Sequence, residues 1–367
     1  MKKLVSVLLA AAVILNLAAC GANPSSGAAS AAPESKTEGT GSGPDNTADG
    51  GRIRICVVYS GSLGDKSYHD SCNMGALRAA EDFGVEVKSL EGSTAEEWEA
   101  NLVAACEDNY DLIIGATSNI ADYIRKHAPN YPDVRFAVID TVVDLPNVES
   151  ITFAQSQGSF LAGAAAAMFT GKTDIDGVND EAIIGWVGGM DIPVLHDFYI
   201  GYEQGAKYIN PDIRIFQAFS GSWNDPLKGK ELTLAQYEQG ADIVMAVASA
   251  TGNGVLEAAR ESGKYAIGVD LNQDNEQPGH VLTSMLKRVD NACYLVIESV
   301  VIDDFQGGTT KYLSLAEGGV SLTDFSVMRE ALAEQFPEDI VTECEIIAEK
   351  IISGEIIVEN YEGFGPQ

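Results

Sequence analysis

The chain has 367 residues, enough for two domains rather than one simple core. Apolar residues make up 46% and charged residues 21%, a balance that belongs to a globular protein. Lys and Arg number 23 against 54 Asp and Glu, a net charge of -31, which argues against a nucleic-acid binder and against docking on an anionic membrane by charge alone.

Met1-Lys2-Lys3 is a basic head, followed by an apolar run from Leu4 to Leu15. The run is shorter than the ~18 residues a membrane-crossing helix needs, and small residues follow it, as in a secretory signal. Leu17-Ala18-Ala19-Cys20 resembles the bacterial lipobox. That resemblance implies a diacylglycerol on the Cys20 thiol and a mature chain anchored by lipid at the extracytoplasmic face of the cell membrane. Residues 21–50 follow, and 23 of these 30 are Gly, Ala, Ser, Thr or Pro. Such a segment buries too little to fold and reads as a tether spanning roughly 30 Å.

From Arg52 short apolar runs alternate with amphipathic segments. Strands are predicted at 53–59, 85–87, 112–115 and 136–140, with helices through 74–80, at 95–108 and near 119–128. The theme restarts after Ser150. Helices are predicted at 159–170, 195–208, 228–239 and 254–262, and strands at 182–187, 213–219, 243–247 and 265–270. Strict alternation implies parallel sheets covered on both faces, in two α/β lobes of about a hundred residues each. From Gln306 on, the chain is expected to complete the second lobe, without contributing to a site.

Catalytic signatures are missing: there is no G-x-S-x-G, no G-x-x-x-x-G-K-[ST] and no G-x-G-x-x-G after a strand. Cys56, Cys72, Cys106, Cys293 and Cys344 form no C-x-x-C pair and are odd in number, so they read as buried small side chains. The four histidines show no metal-ligand spacing, and neither a metal nor a cofactor is expected.

Open α/β sheets bind ligands beyond the carboxyl ends of their strands. The polar residues there include Asp65 to His69, Asp140, Met190, Trp223 and Asp270. Tyr68 and Trp223 stand in loops, where two flat rings on opposing lobes can sandwich a planar heterocycle. Asp270 ends an apolar strand, and its carboxylate can accept from two vicinal hydroxyls. Lys287 can offset that charge or donate to the sugar. Gly252 opens a helix and could offer its backbone N–H to an anion, although a tight strand–helix turn is the preferred reading. This pattern leaves open whether the ligand is a nucleoside or a sugar.

At this point the chain resembles the basic membrane protein family of ABC-transporter substrate-binding lipoproteins, the purine-nucleoside-receptor type. The resemblance is carried by Asp65-Lys66-Ser67-Tyr68, Phe136 to Asp140, Gly158 to Gly163, Val187 to Pro193, Thr251 to Gly254 and Ser284 to Asp290. It implies a type I periplasmic-binding-protein fold: two doubly wound parallel-sheet lobes joined by a three-segment hinge. The lobes are expected at 51–152 with about 271–303, and at 153–270 with about 304–360. It further implies that Tyr68 and Trp223 stack on the base, Asp140 reads the base edge, and Asp270 and Lys287 hold the ribose. Asp65 and Ser67 line the same loop, and Met190 forms a wall. The family's usual Phe-Asn is Tyr68-His69 here, and its usual second Phe is Trp223. His69 changes the donors and acceptors offered to the base.

The expected function is therefore that of a monomeric, lipid-anchored, non-enzymatic receptor. It would capture a purine nucleoside and deliver it to an ABC permease and its ATPase, with no role in nucleic-acid binding. A riboflavin or sugar receptor of the same fold is the alternative, and a nucleoside-processing enzyme the rival from another class.

Overall fold

The computed structural model describes residues 51–364, so the lipobox Cys20 and the tether lie outside the described residues. In the first half, β1 (Arg54–Tyr59), β2 (Glu86–Glu91), β3 (Leu112–Gly115), β4 (Arg135–Ile139) and β5 (Val148–Phe153) are interleaved with α1 (Tyr68–Phe83), α2 (Ala95–Glu107) and α3 (Ala121–His127). Next come α4 (Gln155–Phe169), β6 (Ile183–Gly188), α5 (Pro193–Ile209), β7 (Arg214–Phe219) and α6 (Pro226–Glu238). They lead into β8 (Ile243–Val247), α7 (Gly252–Ser262), β9 (Tyr265–Asp270) and β10 (Val281–Lys287). The remainder is α8 (Val289–Val301), β11 (Thr309–Leu313), β12 (Val320–Leu322), α9 (Ser326–Leu332) and α10 (Glu338–Ile352).

Two six-stranded sheets result, in the orders β11-β5-β4-β3-β1-β2 and β12-β10-β9-β8-β6-β7. Every paired strand is parallel except β12, which runs against β10. The central strands are buried on both faces, which is why Ile55 to Tyr59 and Ile243 to Val247 read as unbroken apolar runs. Helix limits follow local chemistry. Thr94 and Glu97 form a capping box at the start of α2, and Gly84 ends α1 in the left-handed region with φ 69°. Helices α4 and α5 pack backbone to backbone: a Cβ on Gly163, Gly201 or Gly205 would stand 2.0, 2.1 or 1.9 Å from a carbonyl oxygen of the facing helix.

The chain passes between the sheets three times: from β5 into α4, from β10 into α8, and from β11 to β12. Two sequence expectations differ from this path. The sequence reading puts 271–303 in the first lobe, yet β10 extends the second sheet beside β9, and only α8 of that stretch packs against α1. The same reading puts the stretch from 304 in the second lobe, yet β11 pairs with β5 of the first sheet. The cause is topological, because each lobe takes its fifth and sixth strands from different sides of a crossing. Helix α10 packs on α4. All five cysteines in the described residues are buried free thiols.

Candidate functional site

The carboxyl ends of both sheets face one cleft, and the space between them is about 650 Å³, part of it open to solvent. Of the residues singled out in the sequence, Tyr68, His69, Asp140, Trp223, Asp270 and Lys287 line this cavity. Asp65 and Met190 border a wider groove that shares Ser60, His69 and Trp223 with it. Gly252 is buried at the start of α7 and lines neither space, in keeping with the strand–helix turn.

Ser67 and Asp65 do something other than line the cavity. The loop before α1 is shaped by two carboxylates: Asp65 accepts from the backbone N–H groups of Ser67, His69 and Asp70, and Asp70 from those of Gly64 and Lys66. Lys66 takes a left-handed φ of 56° between them. The loop so formed reaches across to the second lobe. Ser249 Oγ donates to Asp65 at 2.8 Å, Asn253 to the Asp65 carbonyl at 3.3 Å, and Gln273 to the Lys66 carbonyl at 2.9 Å. Ser67 Oγ donates to Asp270, and the Lys66 ammonium pairs with Glu276. These contacts hold the lobes together over the cavity, so Asp65, Lys66 and Ser67 form a clasp.

Lys287 is 1% exposed, at the end of β10 where the chain recrosses. Its ammonium lies 2.6 Å from Asp140 Oδ1 and within 5.1–5.5 Å of the ring centres of Tyr68, Phe153 and Phe198. A buried cation needs such company, from a carboxylate and from aromatic faces. The contact with Oδ1 is close but not aligned as a hydrogen bond, and that oxygen has no directed partner.

Electrostatics follow from burial. Burial pushes Asp270 up to about 6, against the opposing pull of the Lys287 charge and the Ser67 hydrogen bond. Burial also works to raise Asp65, but His69 and the loop N–H groups outweigh it and bring Asp65 down to about 2. The Tyr68 hydroxyl is driven well above its ordinary value by burial and by the neighbouring Asp140. Three carboxylates and one lysine therefore meet around the cleft.

One wall of the cavity was not foreseen. Ile192, Leu195 and Phe198 come from the entry and first turns of α5, one turn apart, and present an apolar face. Pro193 within an i, i+3, i+6 apolar series was the available signal, and Met190 lies just outside that stripe.

Two lobes hinged by three crossings, with an aromatic and charged cavity between them and bonds clasping its rim, define a ligand-trapping protein of the type I periplasmic-binding fold. Residues 52–362 match the family described as ABC transporter substrate-binding protein, PnrA-like (Bmp), and the chain belongs to that family. It is 31% identical over 327 residues to basic membrane protein A2 of Borrelia garinii subsp. bavariensis, covering 86% of this chain and 92% of the relative. With basic membrane protein D of Borreliella burgdorferi the identity is 31%, over 77% of this chain and 81% of that one. Among solved structures, an ABC transporter solute-binding protein from Aeropyrum pernix K1 has a TM-score of 0.78 at 31% identity, covering 84% of this chain and 94% of that one. A carbohydrate transporter solute-binding protein from Agrobacterium radiobacter, in complex with D-arabinose, shares the fold at a TM-score of 0.59 and 15% identity, covering 79% of this chain and 99% of that one. Proteins of this family are extracytoplasmic, bind a small molecule and work with a permease and an ATPase. Among the described residues no helix is long and apolar enough to cross a membrane.

Proposed function

We propose that this chain is a lipid-anchored receptor that captures a purine nucleoside and presents it to its permease. The observation that carries this reading is the joint presence, in one cavity, of Tyr68 and Trp223 with Asp270 and Lys287. Flat rings suit a base, and a buried carboxylate in a cavity that also holds an ammonium suits a vicinal diol. Asp270 accepts both ribose hydroxyls, and Asp140 faces the base. The carboxylates around the cleft repel a phosphate, so nucleosides bind in preference to nucleotides. Cys20 carries the lipid and residues 21–50 let the body turn at the membrane. The receptor acts as a monomer and leaves its ligand chemically unchanged.

Two experiments test this. Guanosine incubated with the protein is recovered intact, and guanosine monophosphate competes poorly for its site; cleavage of the nucleoside, or equal competition, would contradict the reading. Cys20→Ser moves the protein from the membrane fraction to the medium, whereas a membrane-bound variant would contradict the anchor.

A further inference from the structure

Three buried polar atoms of residues lining the cavity lack an aligned hydrogen-bond partner: Tyr68 OH, which stands beside the Asp140 carboxylate, Asp140 Oδ1, which has the Lys287 ammonium at 2.6 Å, and His69 Nε2, which has neither. A buried polar atom left unpaired costs stability, so a ligand that completes these atoms is favoured over one that opposes them. Their chemistry is one-sided. Asp140 as a carboxylate only accepts. The Tyr68 hydroxyl stands beside Asp140, so its hydrogen turns there and its lone pairs remain. His69 is held by its neighbour: Nδ1 lies 3.3 Å from Asp65 Oδ2, and an acceptor-only carboxylate at that nitrogen places the imidazole proton on Nδ1. In the neutral imidazole Nε2 is then a bare lone pair.

Asp65 is itself fixed by Ser67, His69 and Asp70 backbone N–H groups and by Ser249 from the other lobe. The ring is boxed in as well. A Cβ on Gly61 would stand 2.5 Å from His69 Cε1, and Tyr59 and Tyr68 meet the imidazole edge-on at 5.8 and 5.9 Å. The imidazole has no room to turn over.

We propose that His69 is a specificity residue: with Asp140 it presents lone pairs to the ligand, so the cleft selects a purine whose edge carries N–H donors, guanine before hypoxanthine before adenine. This rests on the purine-nucleoside reading above. Guanine offers a ring N–H and an adjacent amino group on one edge, and hypoxanthine the ring N–H alone. Adenine offers its amino group between two ring lone pairs, which would oppose the acceptors of the site.

The test is an affinity series with guanosine, inosine, adenosine and 1-methylguanosine on the wild-type protein and on His69→Asn. The wild type is expected to bind guanosine about tenfold more tightly than adenosine, with inosine between, and to lose a similar factor with 1-methylguanosine. In His69→Asn the amide can donate as well as accept, and the guanosine-to-adenosine ratio falls towards one. Adenosine binding as well as guanosine to the wild type, or a ratio unchanged in His69→Asn, would overturn the assignment. The 1-methylguanosine comparison needs no variant and decides the point if His69→Asn folds poorly. Absence of binding by every purine nucleoside would instead refute the reading beneath the proposal, and the proposal with it.

Discussion

Asp140 and Asp270 occupy the same station in the two sheets. Each follows or ends the third strand of its sheet order, β4 or β9, and each takes a left-handed φ, 68° and 66°. Asp tolerates that region better than most residues, though a non-glycine there still costs about 1–3 kcal/mol. The two carboxylates are thereby turned into the cleft from opposite lobes. Their partners break the symmetry: Asp140 meets Lys287 from the hinge, and Asp270 meets Ser67 from the clasp.

Asp270 makes binding sensitive to acid. Its carboxyl is raised to about 6 by burial, and in the proposed complex a ligand diol donates to the ionised form. Lowering the pH from about 7 to about 5 should therefore weaken nucleoside binding by about tenfold, and Asp270→Asn should flatten that dependence. Titrations at several pH values check this; a flat wild-type profile would contradict it.

Asp197 carries a stability prediction of defined sign. It lies on α5 and accepts from the Tyr361 N–H at 2.7 Å, yet burial raises it from 3.8 to about 6. A folded-state value above the unfolded one contributes stability below about pH 4 that is lost as the pH rises through about 6. Asp197→Asn keeps an acceptor for the Tyr361 N–H and leaves no charge to bury. The variant should be more stable than wild type by about 1–3 kcal/mol near pH 7, with the gain vanishing near pH 4. Thermal melts at the two pH values decide it.

The buried Lys287–Asp140 pair gives a double-variant prediction. Lys287→Met leaves Asp140 buried without its cation and should cost about 3–5 kcal/mol, and Asp140→Asn added to it should recover most of the loss. Denaturant unfolding of the three variants measures the coupling. Additive losses would mean that the two side chains act independently.

Ser249 and Asn253 touch Asp65 from across the cleft, so their loss should loosen closure rather than the fold. Ser249→Ala with Asn253→Ala should speed ligand release several-fold while leaving the melting temperature within a few degrees of wild type, about 1 kcal/mol being at stake per bond. Stopped-flow release reads this directly.

Much of the fold was legible because its physics is local. Apolar runs such as Ile243 to Val247 are buried on both faces, and the Ala-rich stretch after Ser159 belongs to a helix packed on its neighbour. The cavity residues Tyr68, Asp140, Trp223 and Asp270 were legible from their place at or after strand ends, and Lys287 as a charge partner for Asp270. What was hidden depends on the other lobe. A short polar residue after a strand looks the same whether it meets a ligand or the opposite lobe, and Asp65 and Ser67 turn out to bridge the lobes. The sheet that β10 joins was likewise hidden, since Val281 to Leu286 would suit either sheet and only the path of the chain decides.

Titration calorimetry of the body from Gly51 onward, a compact unit in itself, tests the central claim most directly. The protein is unfolded and refolded to strip bound ligand, then titrated with guanosine, adenosine, inosine, cytidine, riboflavin and ribose. The same titrations on Trp223→Ala add a check, since a lost stacking ring should weaken nucleoside binding by about 1–3 kcal/mol. Tight binding confined to the purine nucleosides is the predicted result. Tighter binding of riboflavin or ribose, or no heat from any purine nucleoside, would contradict it.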